Sequence, residues 1–187
     1  RLPALVIHIV EYPRSVSLGI SDLGTLAGGG YTVAYSINDS GQVVGVSGFD
    51  DTTPLYAFIT GPNGIGMTEL GNLGGDGSVA NDINDSREVV GVAATAAGAS
   101  HSFIFSHGGM TDLSLLAPVV AAGWTDLSAS GINNNGQIVG SGQRHGNREA
   151  FLLSFTTAVP EPETYLMLLG GLGLVGYLAW RRKEMAI

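Results

Sequence analysis

The chain has 187 residues, of which 29 are glycine, 13% are charged and none is cysteine. That bounds it to one modest domain with appendages, rich in turns and strands, without a disulfide framework, a thiolate metal site or a cysteine nucleophile. The formal charge of −8 repels phosphate backbones and argues against nucleic acid as a partner.

Residues 1–19 contain an apolar run from Ala4 to Val10. It reads either as the remnant of a secretion signal or as a β-strand. Pro3 before it, its shortness and its β-branched content favour the strand, placed to cover a sheet edge.

Residues 20–155 are organised by one phrase said three times. Ile37-Asn38-Asp39-Ser40-Gly41-Gln42-Val43-Val44-Gly45 returns as Ile83-Asn84-Asp85-Ser86-Arg87-Glu88-Val89-Val90-Gly91 and as Ile132-Asn133-Asn134-Asn135-Gly136-Gln137-Ile138-Val139-Gly140. The steps are 46 and 49 residues, the period of a repeat architecture. Val33, Tyr35 and Ile37 alternate with small residues, as in a half-buried strand. Asn38 and Gly41 then supply turn chemistry, and the return strand begins at Gln42. Asn84, Asn133 and Gly136 are the matching turn residues. Arg87 stands where the other copies have glycine, so the second turn is expected to be strained or different.

Two weaker echoes flank each hairpin. Asp22-Leu23-Gly24 upstream is matched by Glu69-Leu70-Gly71 and faintly by Asp112-Leu113-Ser114, while Tyr56-Ala57-Phe58 downstream is matched by His101-Ser102-Phe103 and Glu149-Ala150-Phe151. Each repeat therefore reads as four short strands: the D-L-G strand, two hairpin strands and an aromatic strand. The expected boundaries are 20–66, 67–110 and 111–155. The segment from Leu115 to Ala122 interrupts the third repeat as a short helix or bulged strand, kept short by Pro118. These phrases resemble the HAF-repeat family of extracellular bacterial proteins, whose repeats carry D-L-G-x-L-G-G, I-N-x-x-G-Q-x-V-G and H-A-F. The departures are that the motif histidine survives only as His101 and that the third D-L-G segment is eroded. The resemblance implies an extracellular location rather than a particular chemistry.

Groups suited to catalysis are sparse. There is no G-x-S-x-G elbow and no H-E-x-x-H, and His8, His101, His107 and His145 are scattered. Tyr56 and Glu149 stand where His101 does, which speaks for packing rather than a repeated metal site. The run Asn81-Asp82-Ile83-Asn84-Asp85 invites a calcium reading, but Ile83 is expected to point inward and no bidentate glutamate follows. Neither catalytic residues nor a cofactor or metal site is expected.

After Phe155 the composition changes. Residues 156–164 form a linker containing Pro160, Glu161 and Pro162, and residues 164–180 carry no charge. As a helix those 17 residues would span about 26 Å, slightly less than the bilayer core, with aromatic residues near both ends. Arg181, Arg182 and Lys183 follow and would hold that end in the cytoplasm. Proline-glutamate-proline, a short apolar span and an arginine-rich end resemble the PEP-CTERM sorting signal, carried here by Pro160, Glu161, Pro162, Arg181 and Arg182. The resemblance implies cleavage by an exosortase, a membrane protease, in a Gram-negative bacterium that makes exopolysaccharide.

The expected fold is all-β: three four-stranded, propeller-blade-like repeats, followed by a C-terminal transmembrane helix at 165–187. Three such units close as a small propeller or prism, or remain an open array. The expected function is that of a secreted or surface-displayed, non-enzymatic protein, transiently anchored in the inner membrane. It would bind exopolysaccharide or associate with itself as a matrix component. The rivals are a filament subunit and a carbohydrate-active enzyme.

Overall fold

The computed structural model describes residues 19–26, 29–50 and 54–155. They form three antiparallel sheets taken in chain order. The first holds β1 (Tyr31–Ile37), β2 (Val43–Gly48), β3 (Tyr56–Thr60) and β4 (Met67–Glu69). The second holds β5 (Gly74–Ile83), β6 (Val89–Thr95), β7 (Ser100–Ser106) and β8 (Gly109–Asp112). The third holds β9 (Thr125–Ile132), β10 (Ile138–Arg144) and β11 (Asn147–Leu153). The α-helix among the described residues is α1 (Ala117–Ala121), with Pro118 in its first turn, where a missing N–H costs nothing.

Each sheet begins with the predicted hairpin. Asn38 N–H donates to Gln42 O and Gly41 N–H to Asn38 O, closing a turn whose glycine has φ 70°. Gly136 repeats this at φ 72°, and Arg87 is forced to φ 65°, so the second turn keeps the shape and carries the strain. In each hairpin the pairing slips by one residue in the first strand. The cause is visible at the closing glycines. A Cβ on Gly45 would lie 1.9 Å from Val33 O, one on Gly91 1.9 Å from Val79 O, and one on Gly140 2.2 Å from Ser128 O. The bulge presses backbone onto a position that only glycine can occupy.

The paired apolar residues before each glycine explain the core. In the middle sheet Val89 packs toward the first sheet and Val90 toward the third, where Val44 and Ile138 meet them. Val44 and Ile59 of the first sheet pack with Ala80, Ile83, Val89 and Phe103 of the second. Val90 and Ile104 of the second pack with Ala129, Ile132 and Ile138 of the third. The middle sheet is thus buried on both faces, which an alternating pattern alone does not reveal.

Two expectations need correcting. The strand that ends in Glu69-Leu70 does not open the second unit: β4 pairs with β3 and completes the first sheet. Likewise β8, ending at Asp112, pairs with β7 and completes the second. The upstream echo therefore belongs to the sheet before it, and residues 19–26 form no strand in the first sheet. The third sheet accordingly has three strands rather than four among the described residues. Among the described residues the three sheets show no closed barrel or propeller. No helix among the described residues is long and apolar enough to cross a membrane. The expected strand at Ala4 to Val10, the linker and the transmembrane helix lie outside the described residues.

Candidate functional site

The turn residues singled out in the sequence come together as a polar ladder running across the three sheets. Within each turn the asparagine oxygen caps the return strand. Asn38 Oδ1 accepts from the backbone N–H of Ser40 at 3.2 Å and Gln42 at 3.0 Å, Asn84 Oδ1 from Glu88 at 2.9 Å, and Asn133 Oδ1 from Asn135 at 3.0 Å and Gln137 at 2.9 Å. The asparagine amide then reaches the residue four positions on. It donates to Gln42 Oε1 at 3.1 Å, Glu88 Oε2 at 2.6 Å and Gln137 Oε1 at 2.8 Å. This is why the motif needs Gln or Glu after its turn.

The same amides also reach the next unit. Asn38 Nδ2 donates to Asn84 O at 3.1 Å, and Asn84 Nδ2 to Asn133 O at 3.1 Å. The following residue adds a second rung: Asp39 N–H donates to Asp85 Oδ1 at 2.9 Å, and Asp85 N–H to Asn134 Oδ1 at 3.0 Å. Asn38 and Asn84 are buried, whereas Asn133, in the last unit, is exposed. Burying these groups is tolerable because each is paired.

Asp82 was not singled out as a fastener, yet it ties all three sheets. Its Oδ1 accepts from Ser36 Oγ at 2.5 Å and its Oδ2 from the Ile132 backbone N–H at 2.8 Å. The available signal was that Ser36 and Asp82 occupy equivalent places in successive repeats. Both Asp82 carboxylate oxygens are thus engaged within the repeats. Among the described residues no group of three or more His, Asp or Glu could hold a metal ion. His101 is a strand fastener. Its Nδ1 lies 2.6 Å from Asp112 Oδ2, while Asp112 Oδ1 caps the next turn by accepting from Ser114 N–H at 2.8 Å.

Beside the ladder, the first two sheets enclose an open groove of about 730 Å³, with Ile59, Leu70 and Phe105 among its apolar lining and Arg87, Glu88 and His107 among its polar lining. Glu88 is the carboxylate that lines it, and its Oε2 accepts from Asn84. Glycoside hydrolysis in its usual form needs two carboxyl groups across the scissile bond, one to protonate the leaving group. The groove supplies one, already bonded. Its lining sets hydrogen-bonding side chains around an apolar floor.

The tail residues Pro160, Glu161, Pro162, Arg181 and Arg182 lie outside the described residues, and the structure adds nothing about their geometry. No curated protein and no solved structure matches the chain. Residues 158–183 match the PEP-CTERM protein-sorting motif. The match takes in all but the last few residues of the chain's end and leaves the three sheets without a counterpart. It points to export to the exterior or the cell surface, with transient membrane anchoring through the C-terminus and processing by exosortase, a membrane protein.

Proposed function

We propose that this is a non-enzymatic, HAF-like β-repeat protein of the cell exterior, sorted by its C-terminal signal and acting as a matrix component by self-association or by binding exopolysaccharide. The observation that carries the non-enzymatic reading is the ladder. The polar side chains that recur in the sequence spend their hydrogen bonds on one another, so they build a scaffold and leave few groups free for chemistry. The groove beside it, with Arg87 and Phe105, is the surface on which a polysaccharide would lie. In this reading the cell is a Gram-negative bacterium, and the basic end at Arg181 and Arg182 stays cytoplasmic until cleavage near Pro160-Glu161-Pro162.

The sorting part is tested in producing cells by replacing Pro160, Glu161 and Pro162 together with alanine. The variant is expected to remain uncleaved in the membrane fraction. Release at the same mass and yield as the parent protein would overturn the sorting reading.

A further inference from the structure

Among the described residues the third sheet has one strand fewer than the other two, and the phrase that supplies that strand elsewhere occurs once more in the sequence. β4 and β8 lie within Gly66-Met67-Thr68-Glu69-Leu70 and Gly109-Met110-Thr111-Asp112-Leu113, and the chain contains the same phrase once more as Gly19-Ile20-Ser21-Asp22-Leu23. In both formed cases the phrase adds to the sheet that precedes it in the chain. Among the described residues no sheet precedes the first copy. It pairs with no strand among the described residues, and Ile20 is 101% exposed.

We infer that a second copy of this chain docks head to tail on the third sheet, its Gly19–Asp22 segment adding the missing strand beside β11. This deepens the self-association reading above and rests on it. Three further features of the two ends fit each other. Val139 and Leu152 occupy the places of Val44 and Ile59, and of Val90 and Ile104, all of which are buried against a following sheet; here they are 46% and 63% exposed. At the opposite end Ile37, the counterpart of buried Ile83 and Ile132, is 64% exposed. Val43, the counterpart of Val89 and Ile138, is already buried at 8%, so it is Ile37 at one end and Val139 and Leu152 at the other that joining the ends buries.

The ladder continues in the same register. Asn133 Nδ2 and Asn134 N–H would meet Asn38 O and the Asp39 carboxylate of the second copy, as Asn84 and Asp85 meet the third unit. The added strand has a defined place. Phe58 pairs with Glu69 and Phe103 with Asp112, so Phe151 would pair with Asp22, Leu152 with Ser21 and Leu153 with Ile20. Beside β11 an apolar hollow of about 180 Å³, lined in part by Val119, Leu127, Phe151 and Leu153, stands open to receive Ile20. One position opposes the match: Glu149 replaces His101 and would stand near Asp22 as His101 stands near Asp112. An edge strand that recruits its own kind is a common route to assembly, and a head-to-tail contact closes as a ring or extends as a filament according to the rotation per copy.

The absence of cysteine makes the register testable in the full chain purified in detergent. Ser21→Cys chains mixed with Leu152→Cys chains are expected to form about tenfold more disulfide dimer than either variant alone, because only the mixture sets the two thiols opposite each other. Ile104→Cys with Thr111→Cys in one chain gives the reference yield for that geometry. In parallel, Leu152→Glu blocks one end and Ile37→Glu the other. Each variant alone is expected to sediment as a monomer and their mixture as a one-to-one pair, with circular dichroism confirming that both fold. A parent chain that is monomeric overturns both the contact and the self-association reading. Assembly that persists with equal cross-linking in the mixture and in the separate variants overturns the head-to-tail register alone.

Discussion

Asn84 holds the second turn and the third sheet with one side chain, through Glu88 N–H, Glu88 Oε2 and Asn133 O. Replacing it with alanine removes all three bonds and leaves buried groups unpaired, at a cost of about 2–3 kcal/mol. Asn133→Ala makes the same deletion at the exposed end of the ladder, where water substitutes, and is expected to cost about 1 kcal/mol or less. Equal losses in urea unfolding would show that the ladder's rungs do not depend on burial. Gly91 is the sharper case, because an alanine Cβ would stand 1.9 Å from Val79 O and both atoms belong to fixed backbone. Gly91→Ala is expected to destabilise by about 3 kcal/mol or more, beyond ordinary overpacking. Arg87→Gly works the other way. It relieves a left-handed non-glycine residue, less the added chain entropy of glycine, for a net gain of about 0.5–1 kcal/mol. A melting temperature that falls in that variant would mean the arginine side chain stabilises the turn more than its backbone strains it.

At the level of strands, the hairpins were legible because their signals are local. Alternation followed by an Asx residue, with a glycine three positions on in the first and third copies, specifies a turn without reference to anything distant. The partner of β4 was not legible, since a strand's sequence states its faces and not which sheet edge it joins. Met67, Thr68 and Glu69 look alike whether they open one unit or close another. The bulges were hidden for a similar reason: Gly45, Gly91 and Gly140 announce close packing, but the backbone that approaches them comes from the strand before. Asp82 also escaped, because its role depends on Ser36 and Ile132, which lie 46 and 50 residues away. Asp82→Ala is expected to destabilise more than Asp39→Ala, whose carboxylate lies on the exposed first turn; Asp82→Asn should recover part of the loss by retaining one acceptor. Indistinguishable unfolding midpoints for Asp82→Ala and Asp39→Ala would contradict the fastening role.

The molecule as a whole divides into a scaffold and an address. Before Pro160 the sequence carries 13 acidic residues against five basic ones, so that part of the chain is net negative. Among the described residues the three sheets stack in chain order by equivalent contacts. The address lies in the tail, where residues 158–183 match a sorting motif and the composition turns apolar. The most direct test of an exported repeat protein is the intact mass of the chain recovered from the medium or outer surface of producing cells. The account predicts a chain that retains residues 20–155 and has lost the apolar tail and basic end after the Pro160-Glu161-Pro162 motif. Recovery solely from the inner membrane, at full length and with Arg181 and Arg182 still attached, would contradict it.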